Sequence, residues 1–586
     1  MFVFDFEVFM YDWLVVFKDV QTKEYITIIN DVDALQKFHD KNKNKIFFGY
    51  NSKNFDNIIY DAILSGADPY AVMLMLFKET PLPTIYKTFK MKYYRPNTFD
   101  LMQDILGMSL KEAEGYMGMS VEESTVDFNI ERKLTEQEIK DVLKYCIHDV
   151  DATEKLITYR QGYIRSKMNV CKLFNLPLTC LDKTNASLSA LILEAKKTDY
   201  DDELIYDLPD EVILNNPEYR KILNLYVGRE LNYKEKLKIN IAGVPHILAY
   251  GGIHGAIENF EYQGELWQID AASYYPTLMI QYNYVSRNLK DISKYAELYH
   301  TRIAAKKTDK AKAEALKLLL NTAYGAMKSK FNDMYDPKMA NSVCITGQLL
   351  LVDLIEKIEP YCKLVQSNTD GIVVIPYDKE KIKEIIEQWQ KRTRITLEVD
   401  ICTGIWQKDV NNYIMKYENG KIKTKGAYVT QYLPVGDIGR GTNILRNSGR
   451  IIDIAVVNYF IYGTSPEETI MNHDILSDFQ IITKTGSSYT GTYWRHKEGD
   501  IKVNKVNRVY ATKHQGYGNL YKTKINPDGT IRKDSIANLP EHCYVDNEGI
   551  MKLEYVDRDY YIKLAKKRIS DFKDKNMKQK RNLFDS

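Results

Sequence analysis

The 586-residue sequence lacks three features that would place it in a narrow class. Its seven cysteines form no C-x-x-C pair, which argues against a zinc site and a disulfide framework and fits a reducing, cytoplasmic setting. Its 81 basic residues nearly balance its 79 acidic ones, so a polyanion would have to bind local patches. No signal peptide or membrane span follows the apolar N-terminus, which Asp5 and Glu7 interrupt.

The composition is typical of a soluble protein with several domains. Hydrophobic residues make up 44% and charged residues 27% of the chain, as in globular proteins. At roughly one domain per 150 residues, the length predicts three to five domains. Some of the 44 tyrosines could stack on nucleobases, although most such rings pack cores and surfaces.

A β-hairpin is predicted near the middle of the chain, over Gln366–Ile375. The Asp370-Gly371 pair between its apolar runs is most often only a turn, because glycine adopts positive φ and aspartate caps its own backbone. Another predicted strand, Leu266–Asp270, ends in a second carboxylate at an open edge, where a metal site needs rigid placement. Because several other carboxylate motifs accompany this turn along the chain, we expect Asp370 to bind magnesium.

A second group of carboxylates comes from the first 150 residues. Asp5 and Glu7 share one face of a predicted strand, where they repel each other unless a cation lies between them. An exposed edge strand is the alternative, which the flanking phenylalanines disfavour. Asp56 lies where a strand passes to a helix, so helix capping is its alternative role. Tyr145 and Asp149 share a helix face, and the whole set could bind two divalent ions and orient a water for phosphodiester hydrolysis.

Residues 295–307 and 309–329 predict a pair of helices. Polar and aromatic side chains share faces of these helices: Arg302, Lys306, Lys317, Asn321 and Tyr324. A solvated helical hairpin is the alternative, but the second helix is otherwise apolar, which makes polar groups on it costly. Cations with an aromatic ring suit the binding of a triphosphate and the pairing of an incoming base.

These motifs, taken in order, resemble those of family B DNA polymerases. D-F-E, N-x-x-x-F-D and Y-x-x-x-D resemble the three motifs of the 3′–5′ proofreading exonuclease domain. D-A-A-S-Y-Y-P-T, K-L-L-L-N-T-A-Y-G and N-T-D-G resemble the family's D-x-x-S-L-Y-P-S, K-x-x-x-N-S-x-Y-G and D-T-D-S motifs. The resemblance covers almost the whole chain, and its motif spellings and compact length are bacteriophage-like.

The resemblance implies an α/β multidomain fold. An RNase H-like exonuclease domain would precede a right-hand polymerase with an antiparallel-sheet palm, helical-hairpin fingers and a mixed α/β thumb. The implied parts are exonuclease 1–160, connecting region 161–240, palm 241–290 and 331–430, fingers 291–330, and thumb with a basic C-terminal tail 431–586.

The resemblance also implies a role for each matching residue. Each of the two sites would hold two Mg²⁺ ions, with Mn²⁺ able to substitute. The implied metal ligands are Asp270, the Ala271 carbonyl and Asp370 in the polymerase site, and Asp5, Glu7, Asp56 and Asp149 in the exonuclease site, where Tyr145 would orient water. The implied nucleotide-binding residues are Ser273, Tyr275, Arg302, Lys306, Lys317, Asn321 and Tyr324, with Lys317 also catalytic. The implied DNA contacts are Asn51, Phe55, Ser109, Leu110, Gly251, Gly252, Tyr413 and Lys425.

The chain departs from the family pattern at several positions. The first acidic position of D-T-D-S is Asn368. A Lys-x-Tyr motif that contacts DNA has Asn411 in place of its lysine, and Lys425 could supply the missing charge. In protein-primed relatives a lysine assists the exonuclease metals, and where we expect that lysine this chain has Glu123. In the thumb, basic and aromatic residues suit contacts with duplex DNA: Lys484, Arg495, Lys502, Lys505, Arg508, Tyr510, Lys513, Tyr521 and Lys522.

The spacing of the polymerase motifs bears on priming. Asn321 follows Asp270 by 51 residues and precedes Asp370 by 49, which leaves no room for the insertions of protein-primed polymerases. We expect a monomer that extends nucleic-acid primers from dNTPs, with modest processivity unless a clamp or helicase assists, and with a primase as another possible partner. A nuclease-only protein and a non-catalytic DNA-binding relative are the two alternatives.

Overall fold

The computed structural model describes residues 1–103, 105, 107–433 and 446–573. The chain divides into two compact units. Unit 1 comprises Met1–Lys183, Pro434–Ile452 and Ile470–Ile562, and unit 2 comprises Thr184–Leu433, Asp453–Thr469 and Lys563–Ser586. Both mix helices with strands, which confirms the predicted α/β multidomain class. The finer division into six parts stays a prediction, and from residue 574 on the predicted basic tail lies outside the described residues.

Unit 1 begins with a five-stranded mixed sheet. Its strands are β1 (Phe2–Val8), β2 (Trp13–Asp19), β3 (Tyr25–Ile29), β4 (Ile46–Gly49) and β5 (Asn97–Asp100). They lie in the order β3-β2-β1-β4-β5, with β1–β4 and β4–β5 parallel and the other pairs antiparallel. The apolar residues of β1 are buried on both faces because the strand lies in the middle of the sheet. The edge-strand alternative for Asp5 and Glu7 is therefore wrong.

Seven helices accompany this sheet in the described part of residues 1–183: α1 (Val32–Asn42), α2 (Asp56–Leu64), α3 (Pro69–Phe77), α4 (Leu82–Thr88), α5 (Leu110–Tyr116), α6 (Glu136–Tyr159) and α7 (Gln161–Leu173). Helix α6 begins with a capping box, in which the Thr135 hydroxyl accepts the Glu138 N–H at 3.2 Å and the Glu138 carboxylate accepts the Thr135 N–H at 2.8 Å. It packs against β1 and β2, with Cys146 and Asp149 on its buried face.

Unit 2 is built on a nine-stranded sheet. Its strands are β6 (Leu237–Ile241), β7 (Val244–Ala249), β8 (Gly252–Ala256), β9 (Phe260–Ala271), β10 (Cys362–Asn368), β11 (Gly371–Pro376), β12 (Leu397–Asp409), β13 (Asn412–Tyr417) and β14 (Ile422–Lys425). Every neighbouring pair is antiparallel in the order β14-β13-β12-β9-β11-β10-β8-β7-β6. Strands β10 and β11 form the predicted hairpin, closed by the Asn368–Gly371 pair.

The helices that lie wholly within unit 2 are α8 (Asn185–Ile192), α9 (Pro217–Arg220), α10 (Tyr274–Gln281), α11 (Ser293–Thr308), α12 (Lys310–Met327), α13 (Pro337–Ile358) and α14 (Lys379–Thr393). Helices α11 and α12 pack on each other and confirm the predicted helical pair. Among the described residues, one helical segment, Pro337–Tyr361, is long and apolar enough to cross a membrane. Because 89% of its apolar window is buried inside the protein, it is a core helix and indicates no membrane span.

The last part of the chain completes both units. Three helices each contain a boundary between the units: α15 (Arg450–Tyr462), α16 (Pro466–Met471) and α17 (Arg558–Lys573). Unit 1 also contains β15 (Ile481–Lys484), β16 (Gly491–His496), β17 (Ile501–Val503), β18 (Val506–Ala511), β19 (Tyr517–Ile525), β20 (Ile531–Ser535) and β21 (Cys543–Val545), in sheets ordered β15-β18-β21 and β17-β16-β19-β20. Arg508, Tyr510 and Tyr521 are each only 3% exposed, so the prediction that they contact duplex DNA is wrong.

Two candidate metal sites

The first candidate site lies in unit 1, where β1, α2 and α6 bring four carboxylates together. Asp5 and Glu7 lie on β1, Asp56 is the first residue of α2, and Asp149 lies on α6. The Asp56 carboxylate accepts the Phe6 N–H at 2.9 Å, which ties the start of α2 to the middle of β1. The capping alternative for Asp56 is wrong, because Phe55 occupies the N-cap position and its side chain forms no cap.

Burial and mutual repulsion raise the pKa values of these four carboxylates. Burial, with repulsion from the other carboxylates, raises the pKa of Asp5 and of Glu7 well above the usual range. Burial also raises the pKa of Asp56 to about 7 and that of Asp149 to about 6. Glu7 is 7% exposed, and its carboxylate accepts no hydrogen bond from any described residue. Buried carboxylates that accept few hydrogen bonds are costly unless a cation balances their charge. Their oxygens are ligands that suit hard divalent cations.

A lysine that the sequence analysis did not place here lies within this group. Lys111 of α5 forms an ion pair with Asp149, lies 3.0 Å from Glu114, and lies 4.3 Å from the centre of the Tyr145 ring. Burial opposes its charge, but the attraction of Asp149 and Glu114 outweighs burial and raises the pKa of Lys111. Lys111 therefore remains a cation that balances part of the negative charge.

Glu123, which stands where we expected a lysine, does not lie among these carboxylates. Glu123 stands elsewhere in unit 1, where its carboxylate accepts the backbone N–H groups of Lys505 at 2.7 Å and Val506 at 3.3 Å. Two further residues missed from the sequence support Lys111: the fully buried Glu114, and His148, whose Nε2 lies 3.4 Å from Glu114. The only sequence signal for this network is the i, i+3 spacing of Lys111 and Glu114, which most exposed helices also show.

The remaining unit 1 residues have local roles that the structure makes plain. Burial raises the pKa of Tyr145, and Asp149 and Glu7 add to the rise, so its hydroxyl keeps its proton. Ser109 caps α5 and directly precedes Leu110. Phe55 stacks on Phe77 with ring centres 6.3 Å apart. Asn51 adopts φ of 57° and donates its N–H to Asp100 at 2.9 Å. Their predicted contacts with single-stranded DNA stay predictions.

The second candidate site lies in unit 2, at the end of β9. Asp270 pairs with Gly371 of β11 on one side and with Glu398 of β12 on the other. A Cβ at Gly371 would come within 1.9 Å of Asp270 Oδ1. Glycine at this position leaves room for the Asp270 carboxylate, which occupies the space that a side chain would take.

Asp370 is held beside Asp270 by its own backbone. Its carbonyl accepts the Ala271 N–H at 2.8 Å, which ties the turn to the end of β9. Burial raises the pKa of Asp270 to about 6, and repulsion from Asp370 adds to the rise. Lys425 Nζ lies 3.4 Å from Asn368 Oδ1, so the charge predicted to replace the missing lysine does lie at the hairpin. The two carboxylates meet as the sequence predicted, whereas a metal role for the Ala271 carbonyl stays a prediction.

Buried side chains brace Asp270 and the hairpin that carries Asp370. Gln268 donates to Asp270 and accepts the Tyr417 hydroxyl at 2.6 Å. On the other side of the hairpin, His246 of β7 reaches across Gly255 of β8 to Ser367 of β10, with 2.6 Å between His246 Nε2 and Ser367 Oγ.

Glycines make the approach of β8 to this hairpin possible. A Cβ at Gly255 would lie 2.3 Å from the His246 ring. Gly252 has φ of 144°, and a Cβ there would lie 2.9 Å from Thr369 Oγ1. No neighbouring atom stands within 4 Å of a Cβ at Gly251. Gly252 therefore packs on the turn itself, while a DNA contact by either glycine stays a prediction.

The predicted nucleotide-binding residues surround α10, α11 and α12. Ser273 adopts φ of 50° at the start of α10, and Arg302 of α11 donates to its hydroxyl at 3.1 Å. The rings of Tyr275 and Tyr324 lie 4.5 Å apart. Three polar residues, by contrast, lie on exposed helix faces rather than among the apolar side chains: Lys306, Lys317 and Asn321.

Tyr413 differs from its predicted role as a DNA contact. It is 3% exposed and packs in a core with Leu266, Val365 and Met415 on one face of the sheet. Burial raises the pKa of Tyr413 to about 12. Little of its ring is available to a nucleic acid.

Comparison with known proteins gives partial matches to DNA polymerases. No model of a known protein family matches the chain. A stretch of 119 residues, 19% of the chain, is 26% identical to DNA polymerase 1 of Sulfolobus acidocaldarius, and one of 123 residues, 20% of the chain, is 28% identical to DNA polymerase 1 of Saccharolobus solfataricus. Each match spans 13% of the relative's length. The structure of the family B DNA polymerase from the hyperthermophilic archaeon Pyrobaculum calidifontis aligns with 97% of this chain and 77% of that chain, with 14% identity and a TM-score of 0.43.

Proposed function

We propose that this chain is a family B, template-directed DNA polymerase that extends nucleic-acid primers and proofreads with a 3′–5′ exonuclease. One observation carries the proposal: Asp370, in the turn that leads into β11, lies beside Asp270 near the end of β9, in the unit whose α11 places Arg302 on Ser273. The names of the partial relatives, both DNA polymerases, support it.

In the polymerase site, Asp270 and Asp370 would hold two Mg²⁺ ions. Bound there, such ions lower the pKa of a primer 3′-hydroxyl and neutralise the leaving pyrophosphate. Arg302, Lys306 and Lys317 supply positive charge that would orient the triphosphate, and the fixed carboxylates would keep the reacting groups aligned. The Tyr275–Tyr324 pair offers an aromatic surface on which the deoxyribose and the incoming base would pack.

In the exonuclease site, the four carboxylates Asp5, Glu7, Asp56 and Asp149 fit a second pair of Mg²⁺ ions, since the Glu7 carboxylate accepts no hydrogen bond from a described residue. Tyr145 keeps its proton and would donate it as a hydrogen bond that orients the attacking water. Lys111, paired with Asp149, would limit the repulsion within the group while the site exchanges its ions.

The arrangement of unit 2 supports extension of nucleic-acid primers. Between Asp270 and Asp370, helices α10 to α13 account for most of the chain and leave short connections. A bacteriophage-like monomer that uses dNTPs and works with a clamp, helicase or primase fits this compact design.

Primer extension with Mg²⁺ tests the proposal. The wild type should extend a primed template, and Asp370→Asn should abolish extension while it spares 3′-end degradation. Asp378→Asn is a matched control, because Asp378 caps α14 outside the site and asparagine also caps helices. Degradation without extension by the wild type would favour a nuclease-only protein, and the absence of both activities would favour a non-catalytic DNA-binding relative.

A further inference from the structure

A buried thiol lies inside the exonuclease-site carboxylates and has no part in the proposed hydrolysis. Cys146 of α6 is fully buried, and its Sγ lies 3.7 Å from Asp5 Oδ2 and 3.4 Å from the Asp5 carbonyl. The ligand atoms of Asp5, Glu7 and Cys146 all lie within 4.8 Å of one another. Three potential metal ligands of two chemical kinds thus converge on one point.

The distances fit one shared ion. Tetrahedral zinc binds sulfur at about 2.3 Å and carboxylate oxygen at about 2.1 Å, which separates the two ligand atoms by about 3.6 Å. The Sγ to Asp5 Oδ2 distance of 3.7 Å is close to that value without rearrangement. The carboxylate of Glu7 is 7% exposed and accepts no hydrogen bond from a described residue, so its oxygens remain available to an ion.

The thiol changes which ions this site should prefer. Mg²⁺ takes oxygen ligands and gains little from sulfur, whereas Zn²⁺ and Cd²⁺ bind thiolate strongly. Binding such an ion would form a metal–sulfur bond, release the thiol proton to solvent and leave all oxidation states unchanged. The positive ion would also remove the repulsion between a thiolate and the surrounding carboxylates.

We propose that Asp5, Glu7 and Cys146 form a site for a thiophilic divalent cation of the Zn²⁺ and Cd²⁺ class, which displaces Mg²⁺ and switches the exonuclease off. Binding of the ion rests on these three residues alone, and its effect on degradation rests on the proposed exonuclease function. Among the described residues, Asp5, Glu7 and Cys146 are the one group of three such ligands, so polymerase activity should respond less to these ions.

Another cysteine of unit 1 provides a matched control. Cys543 is also fully buried, but its Sγ donates to the Pro540 carbonyl at 3.2 Å, and burial alone raises its pKa. Replacing it by alanine removes a buried thiol of the same unit without touching a carboxylate. Any effect of Cys146→Ala that Cys543→Ala shares would reflect packing alone.

Direct binding is the first test, made on the full chain with Cd²⁺ in excess Mg²⁺. The wild type and Cys543→Ala should show the ultraviolet charge-transfer band of a cadmium thiolate with one ion bound. Cys146→Ala should lose the band, and Glu7→Gln should weaken binding by about tenfold or more. Because the wild type and Glu7→Gln keep the thiol, they test the site even if Cys146→Ala fails to fold. A wild type without the band would overturn the proposal.

Inhibition of 3′-end degradation by Zn²⁺ at saturating Mg²⁺ is the second test. The wild type and Cys543→Ala should be inhibited at a Zn²⁺ concentration about tenfold or more below that needed for Cys146→Ala. Equal inhibition of all three proteins would overturn the switch. If the wild type shows the cadmium band but never degrades DNA, the metal site stands and the proposed exonuclease function fails.

Discussion

The two groups of carboxylates are held together by different physical means. In unit 1, Asp5, Glu7, Asp56 and Asp149 are packed together and partly neutralised by a buried lysine. In unit 2, by contrast, Asp370 is exposed at a turn, and backbone pairing alone sets it beside a strand-end carboxylate. In the first site like charges repel each other at close range. The second site depends on the register between β9 and β11. Unit 1 should therefore respond mainly to changes of charge, and unit 2 mainly to changes of shape.

The largest effect is expected from Lys111→Met. Removing this cation leaves four carboxylates, three of them buried, without their counter-ion, which should cost about 4 kcal/mol of unfolding free energy in EDTA. Mg²⁺ should restore much of the loss by taking over the charge balance. Urea unfolding with EDTA and with Mg²⁺ measures both values.

Lys18→Met is the matched control for that experiment. Lys18 is also buried in unit 1 and forms ion pairs with Asp151 at 2.6 Å and Glu154 at 2.7 Å, but outside the carboxylate group. Its destabilisation should be the same with and without Mg²⁺. If the destabilisation of Lys111→Met is also the same with EDTA and with Mg²⁺, charge balance among the carboxylates does not control the stability of unit 1.

In unit 2, His246→Gln should remove a pH dependence of stability. Burial lowers the pKa of His246 to about 4, from an unfolded value near 6.5. Its contribution is therefore fully present above pH 6.5 and is lost as the pH falls toward 4, a loss of about 3 kcal/mol. Between pH 7 and pH 4 the wild type should lose that much more unfolding free energy than His246→Gln. Parallel curves of unfolding free energy against pH for the two proteins would contradict a role of buried His246 in this loss of stability.

Gly371→Ala tests whether unit 2 depends on shape. The added Cβ would push the Asp270 carboxylate out of place, and a displacement of about 1 Å can cost about a hundredfold in rate. Primer extension should fall by about that factor, while degradation by unit 1 remains as an internal control. Normal extension would mean that the hairpin moves freely relative to β9.

The smallest expected effect is that of Tyr417→Phe. The change removes one neutral hydrogen bond to Gln268, worth about 1 kcal/mol, and so should slow extension by about fivefold. Tyr295→Phe is the control, because Tyr295 is equally buried and donates to the Leu320 carbonyl away from the carboxylates. Similar slowing in both variants would assign the effect to general packing.

Local patterns predicted the elements of both sites well. The alternation around Asp5 and Glu7, the apolar run that ends at Asp270 and the turn at Asp370-Gly371 each depend on near neighbours in the chain. Strand pairing brings Asp270 and Asp370 together. The close contact that favours glycine at position 371 appears only when β11 lies beside β9.

What the sequence could not predict depends on tertiary packing. Lys111 reaches Asp149 across 38 residues because α5 packs on α6, and no local signal separates it from Glu123. Tyr413 follows two asparagines, as a surface residue often does, yet the sheet buries the face that it shares with Tyr417. The sequence predicted Arg508 to be a surface cation, but its guanidinium donates to backbone carbonyls, among them that of the buried Gly115.

The central claim is that the two sites act separately, one in synthesis and one in excision. Turnover of dNTP to dNMP on a primed template tests it directly, because this idling needs both activities. With Mg²⁺ the wild type should idle, Asp270→Asn should only degrade the primer, Asp5→Asn should only extend it, and a mixture of the two variants should idle again. A single substitution that abolished both extension and degradation, in a protein with wild-type unfolding, would contradict the account.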